Sequence, residues 1–389
     1  MREKLRMKKK QIEAFDLNAV KGKKVSIYGA TIGGKVVYQQ LEKMGIAVEH
    51  IYDKGKIGLT FYGKQICNPE VIQSDEIVIN VLTRSFDSAC DFLQEKGCKI
   101  YEISKMVSQL KISDLKYEEG EREDILNFIN EYKFYARESG DIYLPILEVF
   151  VTEKCTLRCK DCSHMMPLYH QAEHYAIDDV IQDLIKILSV VTKVHDIAIL
   201  GGEPLLHPEL YKLLEWLSKQ KSIEQISIIS NATVIPNNKN LEAIKNNNVR
   251  LRFSDYGQLS VNLDKLVDIC EESNIPYFIN KEEWVDMGAT VKHSYTENEL
   301  KKMFVNCPFV HDYIILKGRL YRCAHVAHLM DLGIVESAEN DYVDFRTERD
   351  EGVLKRKLHF YLKEIEKLDS CIFCNGVDLN RKIEPAIQK

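Results

Sequence analysis

The 389-residue chain has no surplus of basic residues: 53 Lys and Arg stand against 59 Asp and Glu, a formal net charge of -6. Binding driven by phosphate contacts favours a basic patch or stripe, so this balance argues against nucleic acid as a partner. Long apolar runs are also missing. Pieces such as Asp196 to Leu200 and Ile226 to Ser230 are of strand length, well short of the ~18 residues needed to cross a bilayer. The basic start, Met1 to Lys10, meets no apolar h-region before the polar Lys21 to Lys24 stretch. It reads as a solvated tail rather than a signal peptide, and the expected location is the cytoplasm with no membrane partner. Neither an internal repeat nor a low-complexity tract is visible. With 45% hydrophobic and 29% charged residues, the composition is that of an ordinary globular protein long enough for two or three domains.

What the chain does have is cysteine: 11 residues, unevenly spread. In a reducing compartment, clustered cysteines are read as metal ligands or redox centres before disulfides. Two sets stand out, Cys155, Cys159 and Cys162, then Cys307, Cys323, Cys371 and Cys374. The isolated Cys67, Cys90, Cys98 and Cys270 read as small buried apolar residues.

Hydrophobic patterning divides the chain into two alternating stretches. Strand-like runs at Lys23 to Ala30, Ala47 to Tyr52, Glu76 to Leu82 and Lys99 to Ile103, with helical patterns from Val36 to Leu41 and Ser88 to Lys96, predict a small parallel α/β domain over residues 1–115. Ile125, Phe128, Ile129, Tyr132 and Tyr135 keep a spacing of three or four, which predicts an amphipathic linker helix within 116–142. A second alternation follows over 143–300. Strands are expected at Ile146 to Thr152, Asp196 to Leu200, Gln225 to Ser230, Val249 to Phe253 and Pro276 to Asn280, with helices between several of them, as in a parallel sheet or open barrel whose functional loops lie at the strands' C-terminal ends. Residues 301–389 change character: a hairpin across Lys317-Gly318-Arg319, then a charged helix from Val353 to Leu368.

The first cysteine set follows directly on a predicted strand, so its loop sits at a strand's C-terminal end. Three thiolates leave one position open for a ligand or substrate, by the logic that separates open catalytic from closed structural metal sites. A zinc knuckle completed by His164 or His170 is the structural alternative. Gly201-Gly202-Glu203-Pro204 ends the next predicted strand, where glycines let backbone approach a ligand closely. Asn231 and Ser254 end the two after that, so small polar groups occupy four successive strand ends.

These residues resemble the radical S-adenosylmethionine (radical SAM) superfamily over about residues 146–285. The resemblance implies a partial (β/α)6 TIM-type barrel in which Cys155, Cys159 and Cys162 hold a [4Fe-4S] cluster whose free iron chelates SAM. Gly201, Gly202, Glu203 and Pro204 would lie at the methionine amino group, Asn231 and Ser254 at the ribose or carboxylate. One electron, supplied by an external donor such as flavodoxin or ferredoxin, would cleave SAM to a 5′-deoxyadenosyl radical that abstracts hydrogen from substrate. The family's aromatic residue before the third cysteine is Asp161 here, which leaves the adenine contact unassigned.

The second set has the pattern C-x15-C-x47-C-x2-C, a complete four-thiolate site for zinc or for an iron-sulfur cluster. Beside a radical SAM core it resembles the SPASM or twitch module, an α+β unit carrying an auxiliary [4Fe-4S] cluster. Such a cluster would accept an electron from a substrate radical. In the N-terminal domain, Gly29, Gly33 and Gly34 with Asp53 suggest a nucleotide site, although Thr31 takes the middle position of the dinucleotide fingerprint. The region resembles small Rossmann-like modules fused to enzymes of bacterial surface-sugar synthesis, with a docking or structural role as the alternative.

The expected function is therefore a radical SAM oxidoreductase that dehydrogenates a small carbohydrate-type substrate, a nucleotide-linked sugar included. Sugar epimerisation and peptide modification are the alternatives within the enzyme class, and a zinc-stabilised binding or scaffold protein is the alternative outside it. Neither a general base nor any other catalytic side chain is assigned by the sequence.

Overall fold

In a computed structural model, residues 12–82, 86–135 and 142–389 are described, apart from 282, 289, 308, 311, 337, 339 and 378–380. The tail Met1 to Lys10 lies outside them. The chain forms two compact units, residues 1–139 and 140–389.

The first unit is a sheet of seven strands: β1 (Ile12–Ala14), β2 (Val25–Tyr28), β3 (Val48–Tyr52), β4 (Thr60–Phe61), β5 (Lys64–Cys67), β6 (Ile77–Asn80) and β7 (Lys99–Glu102). Their order is β1-β7-β6-β2-β3-β5-β4, parallel except for the β4–β5 hairpin. The central β2 and β6 are buried at every position, which is why they read as continuous apolar runs rather than alternating ones. Helix Ile32–Lys43 starts after the Gly29 turn, and the hydroxyl of its N-cap Thr31 accepts from the Gly34 N–H. The helix expected as a linker, Arg122–Tyr135, belongs instead to this unit. Ile125, Phe128, Ile129 and Tyr132 are buried. The Tyr132 hydroxyl donates to Asn80 O at 2.7 Å and accepts from Ile103 N–H at 3.2 Å.

The second unit is built on an eight-stranded sheet: β8 (Tyr143–Phe150), β9 (Lys193–Leu200), β10 (Ile223–Ser230), β11 (Arg250–Asp255), β12 (Tyr277–Lys281), β14 (Tyr313–Leu316), β15 (Arg319–Tyr321) and β16 (Tyr342–Asp344), in the order β12-β11-β10-β9-β8-β14-β15-β16. A short pair, β13 (Trp284–Val285) with β17 (Lys382–Ile383), stands apart. Strands β8 to β12 are parallel and in sequence order. The register brings Phe150 beside Leu200 and Ser230 beside Phe253, so the loops that follow emerge along one edge. The sixth parallel strand, β14, joins the free edge of β8, with Tyr313 opposite Leu147, rather than following β12. Strands β14 to β16 therefore extend the same sheet, within the one compact unit 140–389. The β14–β15 turn has positive φ at both Lys317 and Gly318, the geometry that matches strand twist in a two-residue hairpin.

Candidate active site

Four strand ends of the second unit converge on a cavity of about 410 Å³. Cys155, Cys159 and Cys162 line it from the loop after β8, Gly201 and Gly202 from the end of β9, Ser230 and Asn231 from β10, and Arg252 and Ser254 from β11. Its wall also contains Cys323 and His325, from the second cysteine region.

The glycines are fixed by close backbone crossing. A Cβ on Gly201 would lie 2.3 Å from Thr152 O, and one on Gly202 would lie 2.3 Å from Lys154 O and 2.7 Å from Cys155 Cβ. The backbone closes this crossing by donating Gly202 N–H to Thr152 O at 2.9 Å and Glu203 N–H to Lys154 O at 2.8 Å. The β9 turn thus holds the start of the cysteine loop. Glu203 and Pro204 do not line the cavity. Glu203 is fully buried, and its carboxylate accepts from Leu205 N–H, Ser230 Oγ and Asn231 N–H at 2.8–3.0 Å. It ties the end of β9 to the end of β10, while burial pushes its carboxyl up to about 7 against those hydrogen bonds. Pro204 opens a 3-10 turn, where its missing N–H costs nothing.

The three thiols are close enough to sense one another. Burial pushes Cys155 up to about 12, with Glu203, Cys162 and Cys159 adding to the rise. Cys159 and Cys162 are raised chiefly by burial as well. The Asn231 amide donates to Cys155 Sγ at 3.6 Å and the Gln388 amide to Cys159 Sγ at 3.3 Å. Among the described residues, no group of three or more His, Cys, Asp or Glu is arranged to hold a single metal ion. A thiolate-bound cubane places its ligands on separate irons, so cysteines spaced round a cavity wall, with amides aimed at their sulfurs and glycines admitting the backbone, fit such a cluster. Of the nearby histidines, His164 lines the cavity against Phe150, and burial pushes its imidazole down to about 4. His170 is exposed, and His174 hydrogen-bonds Thr152 at 2.9 Å.

The second cysteine set is assembled from element ends. Cys307 ends helix Glu297–Asn306, Cys323 starts helix Ala324–Asp331, and Cys371 and Cys374 lie in and just after the 3-10 turn Asp369–Phe373. Asp341 fixes that turn by accepting from the Asp369 and Ser370 N–H groups, each at 2.7 Å. Burial raises all four thiols, and Cys307, Cys371 and Cys374 add to the rise at Cys323.

Sequence reasoning missed several cavity residues. Glu148 on β8, Asp312 and Arg252 face the same space. Burial raises the Glu148 carboxyl, Asp312 raises it further, and Arg252 opposes them. A lone glutamate inside an apolar strand was the available signal. Tyr256 and Trp284 also line the cavity, in edge contact at 5.9 Å, and supply aromatic surface that Asp161, which is exposed, does not.

In the first unit the glycine turn has a different surrounding. A Cβ on Gly33 would lie 2.3 Å from Phe128 Cε2, one on Gly34 2.2 Å from Gly29 O, and one on Gly29 2.8 Å from Val81 Cγ2. Asp53 accepts from Ala30 N–H through one oxygen and from Gly55 N–H through the other, both at 2.9 Å. The residues of the expected nucleotide motif are thus engaged with their own chain.

Comparison with known proteins places residues 149–266 in a match to the Radical SAM superfamily. The chain is 25% identical over 189 residues to molybdenum cofactor biosynthesis protein 1 of Dictyostelium discoideum, covering 48% of this chain and 28% of that one. It is 29% identical over 153 residues to the GTP 3′,8-cyclase of Clostridium acetobutylicum, covering 35% and 46%. The chain thus spans less than half the length of these curated relatives. Among solved structures, anSMEcpe with bound AdoMet matches with TM-score 0.39 at 13% identity, over 60% of this chain and 88% of that one. BtrN in complex with AdoMet and 2-DOIA matches with TM-score 0.36 at 14% identity, over 64% and 100%. Among the described residues, no helix is long and apolar enough to cross a membrane.

Proposed function

The chain carries a radical SAM domain, and from that premise we propose that it dehydrogenates a small polyhydroxylated substrate. The carrying observation is that one cavity is lined by the first cysteine set and by Cys323 of the second. When bound, the first cluster with SAM supplies a 5′-deoxyadenosyl radical for hydrogen abstraction, and a second cluster supplies an acceptor for the electron left on substrate.

The protein's own residues do the rest. Cys155, Cys159 and Cys162 hold the first cluster, with the Gly201-Gly202 crossing fixing the loop. Cys307, Cys323, Cys371 and Cys374 hold the second. The cavity-lining backbone of Gly201 and Gly202, with Asn231 and Ser254, faces SAM, and Tyr256 and Trp284 give its adenine an apolar wall. Glu203 acts behind this surface by locking two strand ends. Glu148 and Asp312, with Arg252 and Asn280, supply the remaining polar groups of the cavity lining. At a hydroxylated carbon that has given up its hydrogen atom, the Glu148 carboxylate would take the O–H proton, and a cluster held by Cys307, Cys323, Cys371 and Cys374 would supply the acceptor for the remaining electron as the carbonyl forms. The balance is two hydrogens removed, one as an atom and one as a proton plus an electron.

Anaerobically reconstituted protein should hold ~8 irons per chain. Presented with carbohydrate and nucleotide-sugar candidates deuterated at the reacting carbon, it should transfer deuterium to 5′-deoxyadenosine and release a product two hydrogens lighter. Transfer with a product in which the deuterium is replaced by one hydrogen, with no further hydrogen lost, would establish epimerisation instead. A protein holding only zinc, with no 5′-deoxyadenosine formed, would overturn the reading.

A further inference from the structure

Residues 382–389, far in sequence from the first cysteine loop, lie directly on it. β17 pairs antiparallel with β13, Ile383 opposite Trp284. The chain then turns at Ala386, which holds a left-handed φ of 57°. Its methyl is buried with Leu157 and Cys159, and Cys155, Cys162, Tyr256 and Trp284 pack against the cluster. Beyond it, the segment meets the loop in one isolated antiparallel bridge, Gln388 opposite Cys159. Lys160 N–H donates to Ile387 O at 2.7 Å, and Lys389 N–H donates to Arg158 O at 3.0 Å. Gln388 spends both ends of its amide between these bonds: Oε1 accepts from Arg158 N–H at 2.8 Å, and Nε2 donates to Cys159 Sγ at 3.3 Å and to Ala386 O at 2.6 Å. The amide orientation follows from its partners, because a backbone N–H demands the oxygen.

We propose that residues 382–389 are a strap that fixes the first cysteine loop, and that Gln388 is a positioning residue whose N–H to Cys159 sulfur tunes the cluster held there. The proposal rests on the reading that Cys155, Cys159 and Cys162 hold a [4Fe-4S] cluster. Three cysteines within eight residues leave the loop little apolar content of its own to bury, and the strap provides backbone partners for Arg158 and Lys160. A hydrogen bond to a ligand sulfur stabilises the more negative, reduced cluster, so it raises the reduction potential. The strap also backs Trp284, linking the loop's order to the aromatic wall of the cavity.

The test uses the full chain, reconstituted anaerobically, as wild type, Gln388→Met and Gln388→Glu. One readout is the rate of iron loss to a chelator. The other is the midpoint potential of the reduced-cluster EPR signal that changes on adding SAM. Gln388→Met removes both ends of the fork; it should lose iron about 10-fold faster and show a more negative potential. Gln388→Glu keeps an acceptor for Arg158 N–H but offers the sulfur no N–H, so it should retain iron better than Gln388→Met while its potential still falls. Wild-type potential and wild-type iron loss in Gln388→Met would overturn the proposal. Retention of the SAM-responsive signal in Cys155→Ala would overturn the ligand reading itself, a result distinguishable from the first because it requires no change at Gln388.

Discussion

Each unit of the chain has a parallel strand that runs into a glycine turn, and the two turns do opposite things. After β9, Gly201 and Gly202 clear the way for the backbone of Thr152 and Lys154, and their far side opens on a cavity. After β2, the glycines make room for the unit's own interior: Phe128 at Gly33, Gly29 O at Gly34, Val81 and Leu82 at Gly29. A glycine turn therefore reports that something approaches closely. What approaches is decided by elements far away in sequence, here a helix nearly a hundred residues downstream.

The contrast breaks most sharply at the cavity turn. Gly202→Val places atoms inside the Lys154 carbonyl and the Cys155 side chain. It should cut 5′-deoxyadenosine formation by at least about 100-fold and remove the first cluster's share of the iron, as Cys155→Ala should. An iron assay together with product chromatography checks both. If Gly202→Val cleaved SAM normally, the crossing would not be what holds the loop.

Glu148 probes another part of the same cavity lining. As the proton acceptor, its replacement in Glu148→Gln should slow substrate oxidation by about 10² to 10⁴-fold, with uncoupled SAM cleavage retained. Burial and Asp312 push its carboxyl up to about 8, so the proton-accepting form gathers as pH rises and the rate should climb to a plateau above that value. The variant should lack this limb. For stability the sign is reversed: a carboxyl raised in the folded state loses its contribution as pH rises from about 4.5 towards 8. Wild type should weaken over that interval relative to Glu148→Gln, as thermal melts at a series of pH values would show.

Smaller effects are expected at the first turn. Gly33→Ala pushes a methyl into the Phe128 ring and should cost about 1 to 3 kcal/mol, leaving iron content and SAM cleavage unchanged. Pairing it with Phe128→Ala should recover much of the strain, a coupling that denaturant titration would measure. Thermal-shift titration with nucleotide sugars sharpens the point: stabilisation of wild type that Gly33→Ala abolishes would make this turn a ligand site after all. The smallest effect is Asp53→Asn, which retains one acceptor and weakens the other bond, for a loss of about 1 kcal/mol with no change in nucleotide-sugar response.

Local pattern carried much of the fold. The apolar runs and helical spacings located β2, β3, β6 and β7 and the five parallel strands from β8 to β12, because a buried parallel strand needs a continuous apolar segment and its crossover helix a 3.6-residue stripe. The β4–β5 hairpin was not legible, being only two and four residues long. The helix Arg122–Tyr135 was legible as an amphipathic helix but not as part of the first unit, since its stripe shows that it packs and not upon what. The Lys317-Gly318 hairpin was visible from its turn residues, yet its attachment beside β8 was not, because strand pairing at such separation leaves no local mark.

The candidate site divides in the same way. Thiolate spacing within a loop and glycines at a strand end are local requirements of cluster and backbone, so both cysteine sets and the Gly201-Gly202 turn stand out in the chain before any folding is considered. Packing across the sheet decides that Glu203 braces two strand ends through Ser230 and Asn231, that Glu148, Asp312 and Arg252 share the cavity wall, and that Cys323 borders the same cavity as the first cysteine loop. Tertiary structure placed Gln388 against Cys159, 229 residues earlier. The physical reason is that ligand type and short spacing are written in covalent connectivity, whereas the partner across a gap is set by sheet order and packing, which bring together residues the chain keeps far apart.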